Sequence, residues 1–457
     1  MTTPFIIQDG TERLLPTAGL ALIGALLDQT HIAERVNQVR LPQCLAPEIP
    51  HSDVVSAMIG VLCLGTPKFA AIEPFRDDPF FAMSLGLTTC PSEPTLRQRL
   101  DGVETAFDAI LKDESAQLLR HRIPALAPLI TEDGAFVPID ADVSVFDQSG
   151  SQKEGVSNTY KNLLGYAPNF AYLGREGYLL NAELREGKQH CQAGTPAFLR
   201  AAFAYARQIT DHALLLRLDA GNDSQDNITE CVAAGVAYII KRNLRKESLD
   251  EWLALAQRCG TPSHPRPGKI VWRGDTLRNV EWHDAPLRIV FEVTERTTTF
   301  RGQGLLIPEI EVDTYWTSLT APAEEVIALY HDHGTSEQFH SELKTDMRLE
   351  RLPSTWFATN AVVLLLGMLA YNLLRLCGQE SLCPPDGLPE ARPVHRRPAT
   401  RRRLRIVIQE LMLVPCRLIT RARTWRISFG RYFCWKSVWT RLYHTFTAPV
   451  PAQTQRA

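Results

Sequence analysis

Several common features are missing from this sequence. None of its ten cysteines forms a Cys-x-x-Cys pair. Neither a zinc knuckle nor a disulfide framework is therefore supported, and reduced structural thiols are expected. The start, Met-Thr-Thr-Pro-Phe-Ile-Ile-Gln-Asp, lacks a basic stretch followed by a long apolar core. No signal peptide is read there, and a cytoplasmic location is expected. The best membrane candidate, 361–371 extended to 377, is interrupted by Asn372 and Arg375. Its uncharged core falls short of the ~20 residues that span a bilayer, so a buried helix and no membrane are expected. No internal repeat is present.

What remains is an ordinary globular composition, with 45% hydrophobic and 22% charged residues, which excludes disorder and collagen-like structure. A chain of 457 residues has room for two to four domains at roughly 100–200 residues each. The formal net charge of −2 hides a segregation: residues 391–457 carry 14 Arg and one Lys against one acid, a net of +14. The other 390 residues carry 34 basic against 50 acidic side chains, a net of −16. A basic tail on an acidic body points to a polyanionic partner, with a solvated tail as the alternative.

Residues 1–125 read as helical, with apolar positions at helical spacing over 19–27, 53–64 and 95–119. Within them, Ser92 or Thr95 can cap a helix from which Arg97 and Arg99 project in the first turns, a pattern that suits a DNA-reading helix but also opens many ordinary ones. From residue 135 the period changes to two. The run 136–146 reads as a strand with Asp140, Asp142 and Ser144 on one face and Ile139, Val143 and Val145 on the other. Strands at 166–173 and 177–184, a helix at 195–209, a buried strand at 213–219, a short helix at 227–234 and a strand at 237–241 complete an α/β layer with a mixed sheet over 126–241. Residues 242–322 carry a helix at 248–258 and then Thr/Val/Trp-rich runs at 269–272, 279–282, 287–294 and 311–319, a mostly β insertion. Helix returns over 323–346, with a second apolar helix at 360–377, in a segment 323–383 that completes the core. A Pro/Arg-rich linker covers 384–398, and the basic region 384–457 is expected to be helical over 401–420.

Four acids stand out: Asp140, Asp142, Asp219 and Glu337. Carboxylates inside or at the end of an apolar strand are costly to bury unless paired or bound to metal. Asp219 ends its strand, where ligands gather in open α/β sheets. For any one of them a cap or turn role is the alternative, and for Asp223 it is the preferred reading. If 330–344 were one helix, Tyr330, His333, Glu337, His340 and Lys344 would share an arc of ~80°, a stripe suited to a metal on one side and a phosphate on the other. Gly334 or a cap at Thr335 or Ser336 would break it, and a solvated polar face remains open. A zinc reading from His331, His333 and His340 lacks evident further ligands.

These residues resemble a known pattern. Asp140-Ala141-Asp142-Val143-Ser144, Lys153-Glu154-Gly155, Thr159-Tyr160-Lys161, Arg217-Leu218-Asp219-Ala220-Gly221-Asn222-Asp223, Ile240-Lys241-Arg242-Asn243, the Tyr330…Glu337…Lys344 run and Ala370-Tyr371-Asn372-Leu373 resemble the DDE transposases of bacterial insertion sequences. The resemblance is to the group 1 DDE domain branch with a Tyr-x2-Arg-x3-Glu-x6-Lys signature, and it covers about residues 90–445. It implies an RNase H-like catalytic core with a β-rich insertion between the second Asp and the Glu. It assigns Asp142, Asp219 and Glu337 as the catalytic, metal-holding acids, with Asp140 as the second choice for the first acid and a further metal ligand. Tyr330 and Lys344 match phosphate-contacting positions. His333 stands where the pattern has Arg, so the contact is weaker or another arginine, Arg242 or Arg348, has taken it over.

The resemblance further implies Mg²⁺ (with Mn²⁺ able to substitute), two ions per site, and double-stranded DNA as partner, both terminal inverted repeats and target. It implies cut-and-paste strand cleavage and transfer through a DNA hairpin, and a homodimer in the synaptic complex. The N-terminal helices, through Arg97 and Arg99, and the basic tail, through Arg401, Arg402 and Arg403, would bind the terminal repeats. Trp272, Trp282 or Trp316 are candidates to stack on a flipped base, against a core role for each. The alternatives are a stand-alone RNase H-like nuclease and a domesticated, catalytically inactive DNA-binding protein.

Overall fold

The computed structural model describes residues 5–7, 9–10, 12–42, 47–124, 126–383 and 400–449; the linker expected over 384–398 lies outside them. The chain divides into two compact units. One is the continuous stretch 125–341, and the other combines 1–124 with 342–457.

The continuous unit is mixed α/β. Among the described residues its main sheet has ten strands. Its path runs Thr261–Arg266, Lys269–Val280, His283–Thr298, Gly304–Thr317, Ala237–Lys241, Ala213–Leu218, Gly134–Val143, Asn169–Leu173 and Tyr178–Glu183, and Leu129–Thr131 pairs off this path. Gly134–Val143 and Ala213–Leu218 are parallel neighbours, as are Ala213–Leu218 and Ala237–Lys241. The strands on either side of these three run antiparallel to them. Near-continuous apolar runs such as Leu214–Leu216 are what parallel strands buried on both faces require. Helix Gln225–Ala234 links two of the parallel strands. Ser224 caps its start by accepting from the Asn227 N–H, and Gly235 ends it in a left-handed conformation (φ 61°) that costs glycine nothing.

Two expectations need correcting here. The strand read over 166–173 is split at Pro168, which has no N–H to give a ladder. Leu164–Tyr166 pairs in a separate small sheet, and Asn169–Leu173 joins the main one. The run at 279–282 is the tight connection between two long strands rather than a strand of its own, since Val280 already pairs with His283.

The discontinuous unit is largely helical. Its longest helix, Phe357–Glu380, is long and apolar enough to cross a membrane, yet 94% of its apolar window is buried inside the protein. Its polar members find partners there: Asn372 donates to Ser115 Oγ (2.9 Å), Thr359 donates to Asp101 (2.6 Å), and Arg375 pairs with Glu342. The helix expected over 95–119 is two, Glu93–Asp101 and Asp108–Arg122. The helix expected over 401–420 is also absent. Only Leu404–Val407 is α-helical, a π-turn follows at Ile408–Met412, and Pro415 bars the helix from continuing. Cys416–Arg421 and Thr424–Phe429 then form an antiparallel hairpin edged by Leu14–Leu15, and helix Lys436–Thr447 follows.

Candidate active site

The last paired register between the parallel strands Gly134–Val143 and Ala213–Leu218 is Ala141 opposite Leu218. Asp142 and Asp219 each come one residue later, so adjacent strand ends carry the two carboxylates. Asp142 is half-buried. Its Oδ1 accepts from the Val143 N–H (2.7 Å), and its Oδ2 lies 3.4 Å from His340 Nε2. Asp219 precedes the short 3-10 turn Ala220–Asn222, and its Oδ1 accepts from Asn222 Nδ2 (2.9 Å). Burial and then the Asp142 carboxylate push the Asp219 carboxyl above its usual range.

Asp140 faces the same way but is committed elsewhere. It lies opposite Arg217 in register, and the guanidinium donates to both of its oxygens (2.6 and 2.8 Å). His333 Nδ1 lies 3.0 Å from Asp140 Oδ1. Burial works to raise the Asp140 carboxyl, but Arg217 and His333 overcome it and hold the group at about 2. Asp140, expected as a further metal ligand, therefore serves as the buried anchor of an Asp–Arg–His cluster. Burial lowers and Asp140 raises the His333 imidazole, with a net shift upwards, so its proton is held more firmly than in free histidine.

The stripe expected over 330–344 is interrupted. Helix Ala323–His331 gives way to a 3-10 turn at Asp332–Thr335, a short helix at Ser336–Ser341 and a π-turn at Glu342–Asp346. Gly334 faces open space. Tyr330 and His333 remain neighbours, with ring centroids 5.8 Å apart. Burial, then Asp219 and Asp142, push the Tyr330 phenol up, so it keeps its proton. Glu337 is exposed on the short helix. Lys344 belongs to the discontinuous unit and pairs there with Glu350 (3.1 Å).

Two further side chains lie beside the acids: His340, which the sequence offered only as part of the stripe and of a zinc reading, and Tyr160, which it offered only within a motif. His340 is buried, and besides approaching Asp142 it shares a hydrogen bond with the Tyr172 hydroxyl through Nδ1 (3.1 Å). Tyr160 donates to the Val143 carbonyl (3.3 Å), and burial followed by Asp142 and Asp219 pushes its phenol up to about 12. The available signals were the Thr159-Tyr160-Lys161 motif and the seven-residue spacing of His333 and His340.

Other expected contacts have partners of their own. Arg242 is buried with its fork on Glu247 and its face on Trp316 (4.7 Å). It lines a cleft of about 310 Å³ with Asp223, Arg245, Arg278 and Trp282. Asp223 accepts from the Asn243 N–H (2.9 Å) and Trp316 Nε1 (3.0 Å), a pinning role. Arg99 is buried and donates to the Ile49 carbonyl, while Arg97 pairs with Glu93 (2.8 Å) one helical turn away. Arg401 pairs with Glu342 (2.6 Å), buried Arg402 with Glu410, and Arg403 with Asp346 (2.8 Å). Burial or carboxylate pairing thus holds each of these five arginines.

Among the described residues, no three His, Cys, Asp or Glu side chains are gathered to hold one ion, which removes the zinc reading from His331, His333 and His340. The Asp142–Asp219 pair nevertheless fits a divalent cation. Two hard oxygen donors stand at neighbouring strand ends, and the mutual repulsion that raises Asp219 is what a cation between them would relieve. Mg²⁺ in particular is held by one or two carboxylates and completes its shell with water and phosphate oxygens.

The family described as Transposase DDE domain group 1 matches residues 7–448. No protein of curated function matches the chain. Among solved structures, a piggyBac transposase synaptic complex with hairpin DNA is similar at 10% identity and a TM-score of 0.38, over 78% of this chain and 73% of that one. With the family match running over nearly its whole length, the chain belongs to the DDE transposases of domain group 1.

Proposed function

We propose that the protein is the transposase of an insertion sequence, binding the element's terminal inverted repeats and catalysing metal-dependent cleavage and transfer of DNA strands. The observation that carries this reading is the pairing of Asp142 and Asp219 at the ends of adjacent parallel strands, with Asp219 raised by burial and then by its neighbour. In this reading the sheet around them is an RNase H-like core, the long strands from Thr261 to Thr317 are its insertion, and Glu337 is the third acid, brought in when DNA is bound. Bound Mg²⁺ or Mn²⁺, two ions per site, would supply Lewis-acid activation of the attacking oxygen and neutralise charge on the leaving one.

The chain's own groups set up that chemistry. His340, steadied by Tyr172, orients Asp142, and Asn222 orients Asp219. The protonated phenol of Tyr330 is a donor for phosphate oxygens, and His333 offers positive charge in the position where the family pattern has Arg. Water attacks the scissile phosphorus and gives up a proton as the P–O3′ bond breaks and the 3′-oxygen takes one up. The freed 3′-hydroxyl then attacks another phosphodiester, giving up its proton as the P–O3′ bond there breaks and that 3′-oxygen leaves protonated. Attack within the same duplex gives a hairpin, and attack on a target gives strand transfer. Two ends held together call for a homodimer in the synaptic complex.

The test is Mg²⁺-dependent cleavage of a labelled duplex carrying one terminal repeat. Asp219→Asn is expected to abolish nicking while leaving DNA binding within a few fold, and unchanged cleavage would sink the assignment. The exposed position of Glu337, outside any three-acid group, keeps a second reading in play, a DNA-binding protein without catalysis. Binding without Glu337-dependent nicks at the repeat boundary would select it.

A further inference from the structure

The arginines 401–403 expected on DNA are paired with carboxylates, yet the positive charge of the C-terminal region is not all used in this way. No Asp or Glu occurs over 411–457. The hairpin Cys416–Phe429 lies in this stretch, and its register sorts its side chains onto two faces. Cys416, Leu418 and Thr420 stand opposite Phe429, Ile427 and Trp425, and this face is buried toward its base, where Phe429 meets the Trp439 ring edge-on (4.8 Å). The other face pairs Arg417 with Ser428, Ile419 with Arg426, and Arg421 with Thr424.

Arg417, Arg426 and Arg421 therefore rise along one face at successive steps of about 6–7 Å, two residues of strand each. Arg423 sits at the turn, where it and Ala422 adopt left-handed backbone (φ 61° and 50°) that reverses the chain in two residues. Every residue from Thr420 to Arg426 is exposed. Among the described residues, only the base of the hairpin has a third strand, because Leu14–Leu15 pairs no further than Arg417 and Cys416, and the distal part is a two-stranded ribbon. Among the described residues, Arg417 alone of these four lies within ion-pair distance of a carboxylate, Glu12 at 3.5 Å.

We infer that this ribbon is a duplex-DNA docking element that lays its arginine face along the phosphates of a groove. A two-stranded ribbon fits the major groove of B-DNA, about 12 Å wide, and strands are an established means of entering it. A ladder of cations without an intervening acid complements a phosphate backbone, whereas an apolar partner would leave the guanidiniums desolvated and unpaired. This inference rests on the reading of the protein as a DNA-binding transposase. It assigns the C-terminal contact to Arg421, Arg423 and Arg426 in place of Arg401–Arg403.

The test uses the full chain and a labelled duplex of arbitrary sequence, with binding measured across a salt series. The variant Arg421→Gln/Arg423→Asn/Arg426→Gln keeps a residue tolerant of left-handed backbone at 423. It is expected to flatten the slope of log affinity against log salt by about 2.7, from 0.9 per lost phosphate contact. A companion variant with lysine at all three positions should restore the slope, which separates lost charge from lost folding. A wild-type slope in the glutamine/asparagine variant would overturn the ribbon and leave the transposase reading intact. Failure of the wild-type chain to bind duplex, or binding of single-stranded RNA or anionic vesicles in its place, would overturn both.

Discussion

Among the individual residues, Asp140 separates what a carboxylate looks like from what it does. It sits two positions from Asp142 on the same strand face, so chemistry alone left the two open as first acid. Its partner Arg217 lies 77 residues away and meets it only because two parallel strands bring them into register. Removing one partner of a buried, hydrogen-bonded pair strands the other charge, at a cost of about 3–5 kcal/mol. Asp140→Asn is therefore expected to lower unfolding stability by about that amount in a urea titration, and a loss below ~1 kcal/mol would show the pair to be incidental. His340→Ala should instead leave stability within ~2 kcal/mol of wild type and depress cleavage, because it removes a group that holds Asp142. Equal losses in both variants would argue that His340 is only a packing residue.

Secondary structure was largely readable from period and punctuation. The order of strand, strand, strand, helix, strand, helix, strand over 126–241 follows from the switch between a repeat of two and one of 3.6. The main-sheet strands from Gly134 onward come in that order with the two helices, while the short strands at Leu129–Thr131, Phe146–Asp147, Ser157–Asn158 and Leu164–Tyr166 were not expected as separate elements. The breaks were not readable. Pro168 sends one apolar run into two sheets, and the run after Tyr330 passes through 3-10, α and π geometry that no propensity scale distinguishes. The short helix bearing Glu337 is held by Phe339, whose ring lies 2.4 Å from where a Cβ on Gly177 would be, and Gly177 is left-handed (φ 71°). Gly177→Ala should therefore cost about 1–3 kcal/mol and slow cleavage by displacing the Glu337 helix. Unaltered cleavage would uncouple this packing from Glu337. In the long-strand region, hydrogen bonds from Arg278, Arg242 and Trp252 outweigh burial and hold the Glu247 carboxyl at about 2. A carboxyl depressed on folding contributes stability above its unfolded value of about 4.3, and that stability is lost as pH falls through about 2. Glu247→Gln should flatten the fall of melting temperature across that window, and an identical acid limb in both proteins would contradict the pairing.

For the whole molecule, the two units differ in how the chain supplies them. The stretch 125–341 is continuous and has its own core around Leu215, Ile239, Val290 and Val326. The other unit needs both ends of the chain. Arg122 donates to the Thr445 and Ala448 carbonyls (both 2.9 Å), and Leu14–Leu15 pairs with the strand that begins at Cys416. The fragment 125–341 should accordingly show one cooperative thermal transition when expressed alone, whereas 1–124 alone should not. A broad, non-cooperative melt of 125–341 would refute its independence.

Sequence by itself determined the α/β character of the middle of the chain, the segregation of acidic body from basic tail, and the candidacy of Asp142 and Asp219, because periodicity, charge and strand-end position are local quantities. The tertiary structure decided which carboxylate stays available, which arginines are neutralised by acids, and that a hairpin rather than a helix carries the exposed cations. Several of these depend on a partner dozens of residues away, as Asp140 does on Arg217 (77 residues) and Arg403 on Asp346 (57 residues). Whether a charge is spent or free is set by the register and burial that bring such partners together, and neither is written in its own neighbourhood of the chain.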